Sequence, residues 1–411
     1  MTLTRRAVLG AAVATAATAP LRRPLAQQQP IMRIGVLTDL SGPYRSLSGP
    51  DGVAAAKLAA AEFMAAVPSL RVEVIAADHQ NKPDVGASIL RSWYDQGDVD
   101  MVTDLTNSAV ALAASNISAE KNKVCCVTVG GSSALTGSAC NANLVHWTYD
   151  SWNLAHSTVN GLVKTGGNAW YFVAPDYAYG KALVADASKF IEESGGTVNG
   201  VAFYPFPETT DFSAYALRAQ ASGANVVAFA AGGTDLVNFV KQAREFGLNN
   251  TAGIAAITGF ITDVKGVGPQ IAQGMMITEN FYWDLNDRTR AWTARIRPML
   301  PPDVIPNSLH AGDYAGPLHY LKAVKELGAP AAKASGRDVV AVMKKLPTDD
   351  DCFGQGMIRA DGRKIHPAYL FQVKKPEEIH HDGDLYSVVY TTPAEQAFRP
   401  IDQGGCKLVK S

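Results

Sequence analysis

Residues 127–137 (VTVGGSSALTG) combine glycines and hydroxyl side chains directly after a β-branched run. Loops of this composition hold phosphates, carry a nucleophilic serine, or bind the polar head of a small ligand. A phosphate loop needs GxxxxGK followed by Ser or Thr, or GxGxxG, and the loop contains neither. A nucleophilic serine needs GxSxG, but Ala134 stands where the last glycine should follow Ser132. The loop therefore favours ligand binding, with a secreted α/β hydrolase that uses Ser132 as the alternative.

A second loop with similar potential lies at Asn107 and Ser108, between a strand-like run and an alanine-rich helical pattern. Both are favourable helix N-cap residues, and the free N–H groups and positive dipole of a helix start attract a carboxylate. Loops at adjacent strand ends of an open α/β sheet meet at one crevice. We therefore expect Ser108, Gly130, Gly131 and Ser132 to bind one head group, although Ser108 alone is equally consistent with simple capping.

The elements that would position these loops alternate between short β-branched runs and helical patterns along most of the chain. This order is typical of parallel sheets covered by helices on both faces. At 411 residues with 47% hydrophobic content, the chain exceeds what one core usually holds. The pattern restarts after residues 144–150 (LVHWTYD), so the sequence predicts an α/β fold of two doubly wound lobes.

The last part of the chain departs from this alternation. Helical patterns near residues 287–300, 310–328 and 336–346 are followed by the turn GMIRADGRK and by the strand-like runs AYLFQV and YSVVYTT. These elements must be shared between the lobes, so the chain returns to a lobe that it has left. Several linkers running side by side would then form a hinge.

Residues 1–26 have the features of an export signal. Arg5 and Arg6 precede an alanine-rich apolar run that extends to Pro20, which is typical of the twin-arginine type. The run is shorter than the roughly 18 apolar residues that suggest a membrane span. We expect a soluble, exported protein of the periplasm. The formal net charge of −1 does not favour nucleic-acid binding.

The five cysteines are too few for a disulfide scaffold. Cys125 and Cys126 are neighbours in a predicted strand, so they point to opposite faces of a sheet and are expected to pack as thiols. Cys140 and Cys406 lie in polar, turn-like surroundings and are candidates for one disulfide, for which Cys352 competes. Spacings typical of zinc sites are missing from the sequence, so we expect neither a metal nor a cofactor.

The chain resembles the leucine/isoleucine/valine-binding proteins, the type I periplasmic binding proteins of bacterial import systems. The resemblance lies in the order and spacing of several motifs that are individually of low specificity. These motifs are RIGVLTDLSGPYRSLSGPDGVAAAKLAAAEF, APDYAYGKAL, TTDFSAYALRAQASGANVVAFAAGGTDLVNFVKQAREFGL, HAGDYAGPLHYLKAVKELG and DGRKIHPAYLFQV. The resemblance implies two Rossmann-like lobes joined by a three-crossover hinge. It assigns residues 27–148 plus 282–366 to the N-terminal lobe, residues 149–281 plus 367–411 to the C-terminal lobe, and the crossovers to regions near 147–151, 279–283 and 365–370.

The resemblance also implies roles for individual residues. The head-group serine of the family falls on Ser108, and its backbone and hydroxyl contacts fall on Gly130 and Ser132. The second-lobe tyrosine of the family's YG motif falls on Tyr179. These assignments agree with the loop chemistry and favour binding of a polar head by residues 127–137.

Two positions depart from the family pattern. Leu47 replaces the aromatic residue that covers the ligand, although Tyr44 lies close enough to substitute. Thr258 lies near the position of the acid that pairs with the ammonium group of an amino-acid ligand. Without that acid, a buried ammonium lacks its counter-charge, which is costly. Other acids that could replace it are Asp150, Asp176 and Asp235.

We therefore expect a non-enzymatic, monomeric receptor that binds a small carboxylate, hydroxylated or aromatic compound and delivers it to the permease subunits of an ABC transporter. The alternatives are a branched-chain amino acid receptor of the same type and a ligand sensor that signals to a membrane receptor. The aromatic residues expected around the body of the ligand are Tyr44, Tyr149, Tyr179, Tyr282 and Trp283.

The export signal can be tested by replacing Arg5 and Arg6 with lysine. Because the paired arginines are recognised by a receptor and not merely as charge, the variant is expected to stay in the cytoplasm. Fractionation of expressing cells measures this. Unchanged secretion would indicate a signal of the general secretory type.

Overall fold

The computed structural model describes residues 30–409, so the predicted export signal lies outside the described residues. Within them, none of the helices has the length and apolar character needed to cross a membrane. The strands, in chain order, are β1 Ile31–Thr38, β2 Arg71–Asp78, β3 Met101–Asp104, β4 Val124–Val127, β5 Leu144–His146, β6 Ala169–Pro175, β7 Thr197–Tyr204, β8 Val226–Phe229, β9 Gly253–Ala256, β10 Met276–Glu279, β11 Thr348–Asp350, β12 Gly354–Ile358, β13 Lys364–Ile365, β14 Ala368–Val373 and β15 Tyr386–Thr392.

These strands form two large sheets, one in each lobe. The first is entirely parallel, with the order β2-β1-β3-β4-β5. The second has the order β15-β14-β10-β9-β8-β6-β7, and only β14 and β15 run antiparallel to their neighbours among its described strands. A small antiparallel sheet contains β11, β12 and β13. The predicted α/β fold of two doubly wound lobes is confirmed.

The α-helices cover both faces of the large sheets. They are α1 Gly49–Ala66, α2 Pro83–Asp95, α3 Ser108–Glu120, α4 Ser151–Val163, α5 Ala178–Glu193, α6 Ser213–Ala221, α7 Thr234–Glu245, α8 Ile261–Val267, α9 Pro269–Ala272, α10 Asp287–Ile296, α11 Ser308–Leu327, α12 Ala329–Ala334, α13 Gly336–Lys345 and α14 Ala394–Ala397. The start of α3, which follows β3, is capped: the Asn107 side chain accepts hydrogen bonds from the N–H groups of Ala109 and Val110.

Each large sheet separates two apolar clusters. Cys126 belongs to the cluster between the first sheet and helices α1 and α11, whereas Cys125 belongs to the cluster on the opposite face. This arrangement follows the alternation of side chains along a strand. In the second sheet, Phe229 and Ala228 are divided between its two faces in the same way. The sheets are therefore fixed on both sides, and the loops at their edges start from rigid positions.

The chain passes between the large sheets in three places. It leaves the first sheet after β5, leaves the second after β10, and enters the second again after β13. Between the last two passages, α11 packs against α1, and the small sheet follows. The sequence pattern did not predict β10, α8 or α9, and the predicted turn GMIRADGRK contains the hairpin of β12 and β13.

The last residues of the chain contact both lobes: the Ala397 carbonyl oxygen accepts a hydrogen bond of 2.6 Å from Asn153 Nδ2 of α4, and other contacts reach the N-terminal lobe. A disulfide joins Cys140 and Cys406, whose Cα atoms are 5.6 Å apart, across 266 residues of sequence. The Arg399 guanidinium donates a hydrogen bond of 2.8 Å to the Ser133 carbonyl oxygen. These contacts attach the end of the chain to the loop formed by residues 127–137. Cys125, Cys126 and Cys352 are buried thiols.

The disulfide predicts a redox-dependent stability. Replacing both Cys140 and Cys406 by serine is expected to lower the free energy of unfolding by about 2–5 kcal/mol, because the bridge restricts the unfolded chain. Denaturant titrations with and without reductant measure this. Reductant should destabilise the native chain and leave the double variant unchanged. A linked peptide that contains Cys352, found by mapping without reductant, would contradict the pairing.

Candidate ligand-binding site

The carboxyl ends of the parallel strands in the two lobes face each other across a small cavity. In each large sheet the strand order reverses beside the first strand of the lobe, at β1 and at β6, which is where open α/β sheets form ligand crevices. The cavity residues come from the loops and helix starts that follow β1, β3, β4, β5, β6, β8 and β9. They are Tyr44, Leu47, Thr106, Ser108, Gly131, Tyr149, Tyr177, Tyr179, Gly232 and Thr258.

The N-terminal lobe contributes hydroxyl groups and a helix start. Ser108 is the first residue of α3, and its Oγ accepts a hydrogen bond of 3.2 Å from the Gly131 N–H. A hydroxyl that accepts still has its own proton to donate. The Thr106 hydroxyl donates to the Asp104 carboxylate at 2.5 Å, so an oxygen lone pair remains for the cavity. Together with the α3 dipole, this wall suits a carboxylate or another polar head.

The C-terminal lobe contributes tyrosine and threonine hydroxyls. The Tyr179 hydroxyl lies 2.5 Å from Thr258 Oγ1, and the Tyr177 hydroxyl lies 3.0 Å from that of Tyr44 in the other lobe. Burial raises the pKa of Tyr44, Tyr177 and Tyr179 above the usual value for tyrosine. These phenols therefore stay neutral, and each can donate one hydrogen bond and accept others.

Aromatic rings and glycines form the rest of the wall. The rings of Tyr149 and Tyr179 meet edge to face, with centroids 6.4 Å apart and planes at 86°. A Cβ atom at Gly131 would lie 2.5 Å from a carbon of the Tyr149 ring and 2.7 Å from one of the Tyr179 ring. Glycine is therefore required for these rings to approach the loop. The cavity volume is about 10 Å³, enough for one water molecule, so a larger ligand enters only when the walls move apart.

The structure brings six of the predicted site residues to this cavity. Leu47, the departure from the family pattern, also lies in the wall, three residues after Tyr44 in the same loop. The six predicted residues are Tyr44, Ser108, Gly131, Tyr149, Tyr179 and Thr258.

Gly130 and Ser132 flank Gly131 but do not line the cavity. The Gly130 carbonyl accepts a hydrogen bond of 2.7 Å from His146 Nε2, which holds this peptide in the lobe interior. The Ser132 hydroxyl accepts from the Ala134 N–H at 3.4 Å and so caps the short 3₁₀ helix that follows. The side chain of Ser132 therefore stabilises its own loop and does not face the cavity.

Tyr282 and Trp283 also lie away from the cavity, contrary to our expectation. The Tyr282 ring packs 5.5 Å from Phe371 and 5.4 Å from Tyr386 in the core of the C-terminal lobe. Both its hydroxyl and the Trp283 Nε1–H donate to the Gly383 carbonyl oxygen. The crossover after β10 therefore turns its aromatic residues inward.

None of the three acids proposed as counter-charges lines the cavity. Asp150 caps α4 through the Asn153 N–H at 2.8 Å and lies 3.6 Å from the Arg363 guanidinium. Asp176 pairs with Lys181 at the surface. Asp235 is buried and accepts a hydrogen bond of 2.9 Å from the Tyr204 hydroxyl.

Sequence reasoning missed Thr106, Tyr177 and Gly232. Thr106 and Tyr177 each lie two residues before a predicted site residue, on the same loop, and Gly232 follows the end of β8. The useful signal was their position just beyond a strand's carboxyl end. Periodicity does not report which side chains of such a loop face the cleft.

Two α/β lobes with a cleft at the carboxyl ends of their parallel strands define a two-lobed ligand-binding protein. The family model described as periplasmic binding protein matches residues 32–378, and the chain belongs to this family. The predicted resemblance is thereby confirmed. Among curated proteins, none matches the chain.

Solved structures agree with this assignment. A periplasmic binding protein from Burkholderia mallei is 39% identical, with a TM-score of 0.87 over 93% of this chain and 100% of that one. A branched chain amino acid ABC transporter periplasmic ligand-binding protein from Burkholderia xenovorans LB400 is 35% identical, with a TM-score of 0.80 over 92% and 99%. A solute binding protein of an ABC transporter from R. palustris, in complex with benzoate, shares the fold at 18% identity, with a TM-score of 0.80 over 92% and 99%.

The buried Asp235 predicts a pH-dependent stability. Burial raises the pKa of this carboxyl to about 7, although the hydrogen bond from Tyr204 opposes the shift. Between about pH 4 and 7 the folded chain therefore holds a proton that the unfolded chain has lost, so the stabilisation present at low pH is lost as pH rises through this window. Relative to Asp235→Asn, the free energy of unfolding of the native chain should fall by up to about 1.4 kcal/mol for each pH unit in this window.

Denaturant titrations of both proteins at pH 5, 6, 7 and 8 measure this difference. The comparison cancels the contributions of other buried groups, since the variant retains them. A constant difference across the series would mean that Asp235 is ionised in the folded chain at all these pH values, and thus available as a counter-charge.

Proposed function

We propose that this chain is the receptor of an ABC importer and captures a small carboxylate with a hydroxylated or aromatic body between its lobes. The observation that carries the proposal is the composition of the cavity wall. Its described residues include hydroxyls, aromatic rings and backbone N–H groups, but neither acids nor bases. Such a wall compensates a carboxylate by hydrogen bonds, whereas an ammonium group needs a negative partner.

The two ends of the cavity suit different parts of such a ligand. At the N-terminal lobe, the Ser108 hydroxyl and the start of α3 favour negative charge. At the C-terminal lobe, the hydroxyls of Tyr179 and Thr258 are neutral partners for a hydroxyl group or another uncharged polar atom. The rings of Tyr149 and Tyr179 offer flat apolar surface between these ends. Benzoate, which is bound in the R. palustris structure, has a carboxylate and an aromatic ring and so matches the first and the middle part of this arrangement.

The second candidate is a branched-chain amino acid, the ligand class in the name of the B. xenovorans relative. It would require a carboxylate near Thr258, and the nearby buried acids have other partners. Asp263, for example, accepts hydrogen bonds of 2.9 Å from the N–H groups of Phe260 and Gly233. Burial also raises its pKa to about 8, which favours the neutral form. These contacts favour the ligand without an amine.

We also propose that the chain is exported to the periplasm, acts as a monomer, performs no catalysis and delivers its ligand to membrane permease subunits. The alternative of a hydrolase loses support because the Ser132 hydroxyl caps its own loop. A ligand sensor for a membrane receptor would use the same cleft. Co-purification with permease subunits or with a receptor from membranes separates these two roles.

Calorimetric titration of protein stripped of ligand by unfolding and refolding tests the ligand class. Benzoate and 4-hydroxybenzoate are expected to bind, and leucine and isoleucine should bind at least roughly 100-fold more weakly, since an unpaired buried ammonium costs several kcal/mol. Thr258→Glu should reverse this preference by supplying the counter-charge. Thr258→Gln, with the same length and no charge, is the matched control and should not favour leucine.

Tight leucine binding by the native chain, abolished by Asp150→Asn or Asp235→Asn, would contradict the proposed ligand class and identify the replacing acid. Native mass spectrometry of freshly purified protein would then give the mass of any retained ligand directly.

A further inference from the structure

The loop formed by residues 39–48, between β1 and α1, makes contacts across the cleft that do not involve a ligand. The Pro43 carbonyl accepts a hydrogen bond of 3.0 Å from the Thr234 N–H in the opposite lobe. The Tyr44 ring stacks on Phe206 with centroids 4.9 Å apart and planes at 26°, and its hydroxyl lies 3.0 Å from that of Tyr177. We call residues 39–48 the latch.

The surface that receives the latch is a pair of glycines at the end of β8. A Cβ atom at Gly232 would lie 3.2 Å from a methyl carbon of Leu47, and one at Gly233 would overlap the Pro43 carbonyl oxygen. Gly233 also has a φ of 73°, which side-chain-bearing residues rarely adopt. At Gly233 the latch therefore packs backbone against backbone and leaves no room for a Cβ atom, whereas Gly232 packs against the Leu47 side chain.

One buried side chain holds the latch in shape. The Asp39 carboxylate is fully buried and uses both oxygens. Its Oδ1 accepts from the N–H groups of Ser41 and Gly42 at 3.2 and 2.6 Å. Its Oδ2 accepts from the Tyr44 N–H at 2.9 Å and from Asn81 Nδ2 at 2.6 Å. Asp39 therefore determines where Tyr44 and the preceding carbonyl lie, without lining the cavity itself.

We propose that residues 39–48 are the latch by which the lobes hold each other, and that Asp39 is the positioning residue of ligand capture. The free energy of lobe closure then comes in part from Pro43, Tyr44 and Leu47 against the opposite lobe. Tyr44 and Leu47 also line the cavity, so the contacts that close the lobes and those that enclose the ligand share side chains.

The Thr234 amide reports directly on the latch. Thr234 is the first residue of α7, so its N–H has no acceptor within the helix. Its hydrogen-bond partner is the Pro43 oxygen of the other lobe. Slow exchange of this amide with solvent deuterium therefore measures how long the lobes remain joined at the latch. The measurement uses the whole protein stripped of ligand, so it is independent of the proposed ligand class.

The first test compares Asp39→Asn with Asp350→Asn. Asparagine has one acceptor oxygen in place of two, so the Asp39 variant should lose the bonds either to the Ser41 and Gly42 N–H groups or to the Tyr44 N–H, and either loss should release the latch. Asp350 is a buried acid of the N-terminal lobe, far from the latch in sequence. Its carboxylate accepts hydrogen bonds from the N–H groups of Cys352 and Phe353. Exchange at Thr234 should accelerate at least about tenfold in Asp39→Asn and stay unchanged in Asp350→Asn.

The second test acts from the opposite lobe, with Gly233→Ala and Gly223→Ala. Both glycines have positive φ, 73° and 69°, but a Cβ at Gly223 meets no atom within 4 Å. Only the Gly233 variant should release the Thr234 amide and enlarge the radius of gyration in small-angle scattering. Fast exchange at Thr234 in the native chain, or equal exchange in the members of each pair, would overturn the proposal.

Discussion

Parallel strands end at the same edge of their sheet, and the position of every cavity residue depends on this constraint. In both sheets the order reverses beside the lobe's first strand, so neighbouring loops diverge and leave a crevice. The two crevices face each other because the chain passes between the sheets three times. Short loops suffice to bring Ser108, Gly131 and Thr258 together, since each starts from a strand that is packed on both faces. The site is therefore a consequence of sheet topology more than of any one motif.

Buried carboxyl groups also lie around the cavity, near the ends of the parallel strands, but they do not line it. Asp104 accepts a hydrogen bond from Thr106, and Ser48 contacts both Asp104 and Asp313. A hydroxyl has one proton to donate, so one acid of this pair must itself carry a proton to satisfy both contacts. Burial raises the pKa of both acids. These groups orient hydroxyls and N–H groups while the wall that meets the ligand stays uncharged. The chemistry of the cavity is thus set by residues that lie outside it.

Much of the fold was predictable because strands and helices alternate with clear periodicity and the pattern restarts after residues 144–150, whereas the three crossovers were expected only from the family resemblance. The sequence pattern did not indicate the four-residue β10, because its sequence MITE ends in an acid, Glu279, that the structure buries. For the site, position beyond a strand end identified Ser108, Gly131 and Tyr179. It did not distinguish Gly130, whose carbonyl bonds to His146, from Gly131. Nor did it exclude Tyr282, which faces inward because Phe371 and Tyr386 complete an aromatic cluster there. Both outcomes depend on neighbours that are distant in sequence.

Closure and ligand binding are linked because Tyr44 takes part in both. When a ligand binds the closed form, its apparent dissociation constant is the intrinsic value divided by the closed fraction. Contacts such as the one between the Pro43 oxygen and the Thr234 N–H raise that fraction without touching the ligand. Under the proposed function, affinity is therefore adjustable at Asp39, whereas Thr258 and the tyrosine hydroxyls that line the cavity would set selectivity. By reciprocity, a ligand that fits the cavity strengthens the latch by the same free energy that the latch adds to its binding.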